Sequence, residues 1–170
     1  RLTGLNVSFF VLDETPVIGK AAVGSALTYH AAALGMGSTL FAGEWLRLAS
    51  PGRALRKQTW RRLWAMTPAE RLRPLCITEA IVAYLLGLSV EDFSWLLRGC
   101  DHSLGTEQPE GNPKGYWRTD RWLSPQLRAT VLAQVAFQDL QKFIKEHPDH
   151  TAKGLRAFCG AEGTGQGWSI

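Results

Sequence analysis

Eight cationic side chains stand between Arg47 and Arg73: Arg47, Arg53, Arg56, Lys57, Arg61, Arg62, Arg71 and Arg73. Glu70 is the single acid in that window, so the window is net +7 in a chain whose total is +4, and the remainder is net acidic. Positive charge gathered in this way is the electrostatic footprint of a surface facing a polyanion, where Arg and Lys neutralise phosphates and add affinity without reading sequence. An amphipathic helix that buries Trp60, Leu63 and Trp64 and wets its cations is the competing reading of the same stretch. Trp60 and Trp64 are four apart and would share one helical face, leaving Arg53, Arg56, Lys57 and Arg61 to line the other side.

A second concentration of rings and charge is KGYWRTDRW, where Tyr116, Trp117 and Trp122 are interleaved with Lys114, Arg118 and Arg121. Rings beside cations can stack on bases or pin a loop to phosphate. They can equally plug a core while Arg118 and Arg121 pair with Asp120 or bond helix carbonyls. A loop entering a helix needs anchors, so packing is the preferred reading of the three rings. The candidate DNA contacts are therefore Arg53, Arg56, Lys57, Arg61 and Arg62, with Lys114, Arg118 and Arg121 as second choices.

Catalytic patterns are missing from the sequence: no Gly-rich phosphate or dinucleotide loop, no GxSxG, no HExxH and no paired carboxylates. Cys100 and His102, two apart in GCDHS, could share a metal. Cys76, Cys159, His147 and His150 stand at no spacing typical of a zinc site, so unpaired or buried cysteines are the better reading. No catalytic, cofactor-binding or metal-ligating residue is assigned. Three cysteines without a CxxC pair argue against a disulfide framework and for a reducing compartment.

The elements that must position these residues belong to a chain of 170 residues, long enough for a real core. Hydrophobic content of 45% with 20% charged residues is that of a globular protein rather than a disordered one. No apolar run reaches the roughly 18 to 20 residues of a membrane span, and RLTGLNVSFF has no charged-then-apolar leader layout. A start at Arg1 rather than Met raises the expectation of a piece of a longer protein.

The expected fold class is mostly α: a helical domain with a short N-terminal β-strand, Leu5 to Asp13, that pairs with a sheet outside this chain. Ala-rich residues 21–34 read as a helix stopped by Gly35, and STLFAGEWLRLA as a further short helix. Thr67 to Glu70 is a capping box with Pro68 at the first helical position. It opens a helix to about Leu86, stopped by Gly87, with Leu72, Leu75, Val82, Leu85 and Leu86 as its apolar stripe and Pro74 placed to distort it. Ser89 to Asp92 is a second box, opening a short helix that ends at Gly99. Ser124 and Pro125 read as a third helix start, with Leu127, Val131, Val135, Leu140, Phe143 and Ile144 on one side and His147 and Pro148 at the end. Residues 1–20 are read as strand and linker, 21–150 as the helical domain, and 151–170 as a flexible Gly-rich tail.

Three segments in this order, LNVSFFVLDETPVIG, RLRPLCITEAIVAYLLGLSVEDFSWLL and KGYWRTDRWLSPQLRATVLAQVAFQDL, resemble the C-terminal part of large N6-adenine DNA methyltransferases. These are the long single-chain enzymes of bacterial restriction and phage-defence systems, BREX- and DISARM-type methylases included. The family's strand with an Asn-aromatic-PV ending is followed by a helical segment, matched here by Glu79 to Phe93. An aromatic-Arg-Thr segment then leads to a final helix, matched by Ala136 to Leu140. The resemblance covers most of residues 1 to about 145. The family's catalytic Asn-Pro-Pro-Tyr/Phe motif and its Gly-containing loop for S-adenosylmethionine are missing from this chain, so no catalytic or cofactor residue carries over. The resemblance implies a bacterial, cytoplasmic helical part that packs near the recognition region and holds double-stranded DNA. Methyl transfer, with its S-adenosylmethionine, would occur elsewhere on the parent protein or on another subunit of a defence complex. Flipping an adenine requires a clamp on the surrounding backbone, which a basic helical face suits. The alternative is a helical module of a multi-subunit complex that contacts only protein, its basic helix docked on an acidic partner.

Overall fold

The computed structural model describes residues 24–49, 65–98, 122–148, 151–160 and 167–169. Among them the regular structure is helical, so the fold is mostly α; the expected strand at Leu5 to Asp13 lies outside the described residues. The helices are α1 (Gly24–Gly35), α2 (Ala42–Ala49, preceded by a 3-10 turn Thr39–Phe41), α3 (Pro68–Leu85), α4 (Val90–Arg98), α5 (Ala129–Lys145, preceded by a 3-10 turn Pro125–Leu127) and α6 (Thr151–Cys159).

Local sequence chemistry sets the limits of α3 and α4. Thr67 Oγ1 accepts the Glu70 N–H at 3.2 Å while Glu70 Oε2 accepts the Thr67 N–H at 2.9 Å, so two orphan donors of the first turn satisfy each other. The bond from the Thr67 N–H, then that from its hydroxyl, holds the Glu70 carboxyl below the usual range. At the other end Gly87 adopts φ 70°. Its N–H bonds Tyr84 O and the Leu88 N–H bonds Ala83 O, both at 3.0 Å, closing a Schellman motif that only glycine enters without strain. Ser89 Oγ then accepts the Asp92 N–H at 3.0 Å and Asp92 Oδ2 accepts the Ser89 N–H at 3.3 Å, starting α4. Pro74 lies inside α3, and the helix continues through it without one ladder donor.

The third expected start differs. Ser124 makes no side-chain cap, Pro125 opens only a 3-10 turn, and α5 begins at Ala129 after Arg128 in extended backbone. The competing bond spans the turn itself: Arg128 Nε donates to Leu123 O at 2.7 Å.

The most extensive helix pairing is α3 against α5, with α1 on α3 and both α4 and α6 on α5. Its buried surface is not the expected leucine stripes. On α3 the buried positions are Cys76, Ile77, Ala80, Ile81 and Ala83, while Leu72 and Leu85 only flank the core and Leu86 is exposed. On α5 they are Thr130, Ala133, Ala136, Phe137 and Leu140; Leu127 and Val135 are exposed, and Phe143 and Ile144 pack at the margin. Small and large side chains share the buried contact: Cys76, Ala80, Ala133 and Ala136 stand there beside Ile77, Ile81, Phe137 and Leu140.

Residues Thr151 to Cys159, read from sequence as tail, form α6 and bury Gly154, Leu155, Phe158 and Cys159. A Cβ on Gly154 would stand 2.9 Å from Phe143 O, so glycine permits the close α5–α6 approach. Trp168 returns to the bundle and is buried. Its N–H bonds Phe158 O at 2.8 Å, its Nε1–H donates to Asp139 Oδ2 at 3.0 Å, and its carbonyl accepts from Arg73 Nε at 2.7 Å. The residues matched to the family pattern at Ala136 to Leu140 therefore include Asp139, the acceptor that holds this tryptophan.

Candidate nucleic-acid interface

Arg53, Arg56, Lys57, Arg61 and Arg62 lie outside the described residues, as do Lys114, Arg118 and Arg121, the Trp60–Trp64 pair and the Cys100–His102 pair. What the structure does describe are the supports at either end of the basic stretch. Ala49, the last residue of α2, packs against a small cluster of Ala32, Ala33 and Trp45. Ala65, after the stretch, is buried and its N–H bonds Ala33 O at 3.0 Å. Ala49 and Ala65, which flank residues 50–64 with their five cations and no acid, thus both stand at the C-terminal end of α1.

The three cations of the window that are described have bonds within the chain. Arg47 bonds Glu44 one turn away through two guanidinium nitrogens, and that hydrogen bond, reinforced by the charge, holds the Glu44 carboxyl below its usual range. The pair is solvent-exposed and adds little to stability. Arg71 Nη1 donates to Leu34 O at 2.9 Å and Ala65 O at 3.1 Å, placing a cation on the carbonyl end of α1 and tying it to the return of the basic stretch. Arg73 holds the Trp168 carbonyl. Charge in this window therefore divides: Arg71 and Arg73 brace the fold, Arg47 pairs at the surface, and the middle five remain the phosphate-facing candidates.

Of the three rings in KGYWRTDRW, Tyr116 and Trp117 lie outside the described residues. Trp122 is 78% exposed, so the expectation that it plugs the core is corrected. The end of α5 beneath it is closed by Thr130 and Ala133, and the turn carrying Trp122, Leu123 and Leu127 stands outside that contact.

A polar node inside the bundle escaped sequence reasoning. His30, 2% exposed on α1, donates from Nε2 to Cys159 O at 3.2 Å, and its Nδ1 is buried without a hydrogen-bond partner. Burial lowers its pKa to about 4, with Arg73 adding to the effect, so the imidazole is neutral at pH 7. Burial likewise pushes the Cys159 thiol up to about 12, the opposite of an activated nucleophile. Cys76 is also buried, its Sγ 3.9 Å from Ala129 O, and neither of these two cysteines forms a disulfide. Among the described residues no three His, Cys, Asp or Glu side chains gather as a metal site would require. No helix there is long and apolar enough to cross a membrane.

Sequence reasoning also missed an open cleft between α4 and α5, lined by Val90, Glu91, Asp92, Ser94, Trp95, Gln134 and Gln138. The signal available was Trp95, two residues from Phe93 and therefore turned away from the face that Phe93 and Leu97 bury. Comparison of the chain with protein-family models, curated proteins and solved structures returns no match, so its function is argued from its own residues and geometry.

Proposed function

We propose that this chain is the C-terminal helical part of an adenine-specific DNA methyltransferase of a bacterial restriction or phage-defence system, where it grips double-stranded DNA and supports a catalytic region it does not contain. The observation that carries the reading is the basic stretch at residues 50–64, five cations without an acid, held at both ends by buried contacts at the α1 corner. Anchored ends reduce the entropy lost when such a segment meets a phosphate backbone. The three-segment resemblance supplies the parent activity. S-adenosylmethionine and methyl transfer belong to the rest of that protein or to a companion subunit, in the bacterial cytoplasm.

The test replaces Arg53, Arg56, Lys57, Arg61 and Arg62 by Gln and measures duplex DNA affinity at several salt concentrations. If all five meet phosphates, the log–log salt slope shrinks by about 4 to 5, from the value of roughly 0.9 per neutralised phosphate. Unchanged affinity and slope, with the helical circular-dichroism signal intact, sink the proposal. An Asn-Pro-Pro-aromatic motif encoded upstream of Arg1 in the same reading frame, or in an adjacent gene, is the expected companion.

A further inference from the structure

We infer that the cleft between α4 and α5 receives an arginine- or lysine-bearing segment of a protein partner. Phe93 meets Phe137 edge-on with ring centroids 5.1 Å apart, which fixes α4 on α5 and leaves a groove of about 620 Å³ beside the contact. Half-buried Val90, Ser94 and Gln134 form its floor, and exposed Glu91, Asp92, Trp95 and Gln138 form its rim. Gln134 and Gln138 are four apart, so both amides come from one stripe of α5. Among the described residues that line it there is no cation. Asp92 is held by Ser89, whose hydroxyl donates to Oδ2 at 2.7 Å, so its negative charge is stationary at the wall.

The chemistry of that lining selects a cation. Trp95 is 47% exposed, and an indole face beside carboxylates attracts guanidinium or ammonium through the ring quadrupole and through charge. The glutamine carbonyls accept the remaining N–H groups. Half-buried Val90 in the floor and the Trp95 ring supply apolar surface for the methylene stem. A groove of about 620 Å³ is larger than one cationic side chain fills, and it points to a polypeptide. The same carboxylates repel phosphate, so this surface does not depend on the DNA-binding reading.

The experiment titrates the full chain with a ten-residue synthetic peptide of alternating arginine and leucine. A peptide with glutamate in place of arginine is the control. Binding is followed by fluorescence anisotropy and by the Trp95 indole proton, assigned with Trp95→Phe. The proposal expects saturable binding of the arginine peptide only and a shifted Trp95 signal. Trp95→Ala, Glu91→Lys and Gln138→Arg should each weaken affinity about tenfold, with Trp95→Phe retaining most of it. All three positions are exposed at the rim, and an unchanged thermal midpoint separates lost binding from lost fold. Neutralising the five cations of residues 50–64 leaves peptide binding unaltered, so this result and the DNA result fail independently. Equal binding of the glutamate peptide, an unmoved Trp95 signal, or affinity indifferent to all three disruptive variants overturns the proposal. So does competition by free arginine amide as strong as that by the peptide. A concentration-dependent dimer that Trp95→Ala abolishes would assign the cleft to a second copy of this chain instead.

Discussion

The α3–α5–α6 core and the α1–α2 corner are built from the same kinds of residue and spend them differently. In the core, Phe137, Phe158, Ile77, Ile81 and Leu140 are fully buried, and aromatic contacts run from Phe93 to Phe137 and from Phe143 through Phe158 to Trp168. At the corner the described buried apolar residues are Ala32, Ala33, Trp45 and Ala65, while Leu40 is 90% and Leu46 70% exposed and Met66 also faces outward. Polar groups follow the same division. Trp168 has its indole, amide and carbonyl satisfied inside the core, whereas Arg47 and Glu44 pair in water. The difference teaches that, among the described residues, buried apolar surface is concentrated in the core, and that the corner flanking the basic stretch buries small side chains and one ring.

Breaking the core should cost most. Phe137→Ala removes the ring that joins α4 to α5 and leaves a cavity, an expected loss of about 3 to 5 kcal/mol by chemical denaturation. Acid should come next, acting through His30. Its folded pKa of about 4 lies below the ordinary 6.5, so the unfolded chain binds the proton more readily and stability is complete only above pH 6.5. It falls as pH drops toward 4, by up to about 3 kcal/mol from this group. A His30→Gln variant should remove that component from the urea midpoint measured against pH, and a difference curve that stays flat would refute it. Gly87→Ala puts a Cβ in a left-handed turn at the end of α3 and should cost about 1 to 2 kcal/mol in the same assay. Leu40→Ser at the corner should change stability by less than about 0.5 kcal/mol. Hydrogen exchange sharpens the contrast, since α2 amides should exchange through local opening well before those of α3 and α5. Equal protection in the two regions would erase the distinction.

Much of the fold was legible wherever the controlling interaction is local. Thr67 with Glu70, Ser89 with Asp92, and Gly87 each act within a few residues, and each element boundary falls where these residues place it. The Ser124–Pro125 start failed because an arginine–carbonyl bond, invisible to capping rules, holds the turn in another form. The apolar stripes were legible in part: Leu140 is buried and Leu72, Leu85, Phe143 and Ile144 pack against the core as expected, while Leu86, Leu127 and Val135 are exposed and alanines, weak in any hydrophobic count, take buried positions. The cationic candidates were legible only as charge: composition locates Arg71 and Arg73 in a basic window, and geometry shows them bonded to carbonyls of Leu34, Ala65 and Trp168.

By itself, then, the sequence determined that the chain is helical, where its capped helices begin and end, and where its positive charge is concentrated, because caps, turns and charge are properties of neighbours along the chain. Tertiary structure alone decided which faces meet, that Thr151 to Cys159 and Trp168 belong to the core, that His30 is neutral inside it, and that Trp95 borders an acidic cleft. Those outcomes depend on groups brought together across as many as 129 positions, as His30 and Cys159 are, and no local pattern encodes such a meeting.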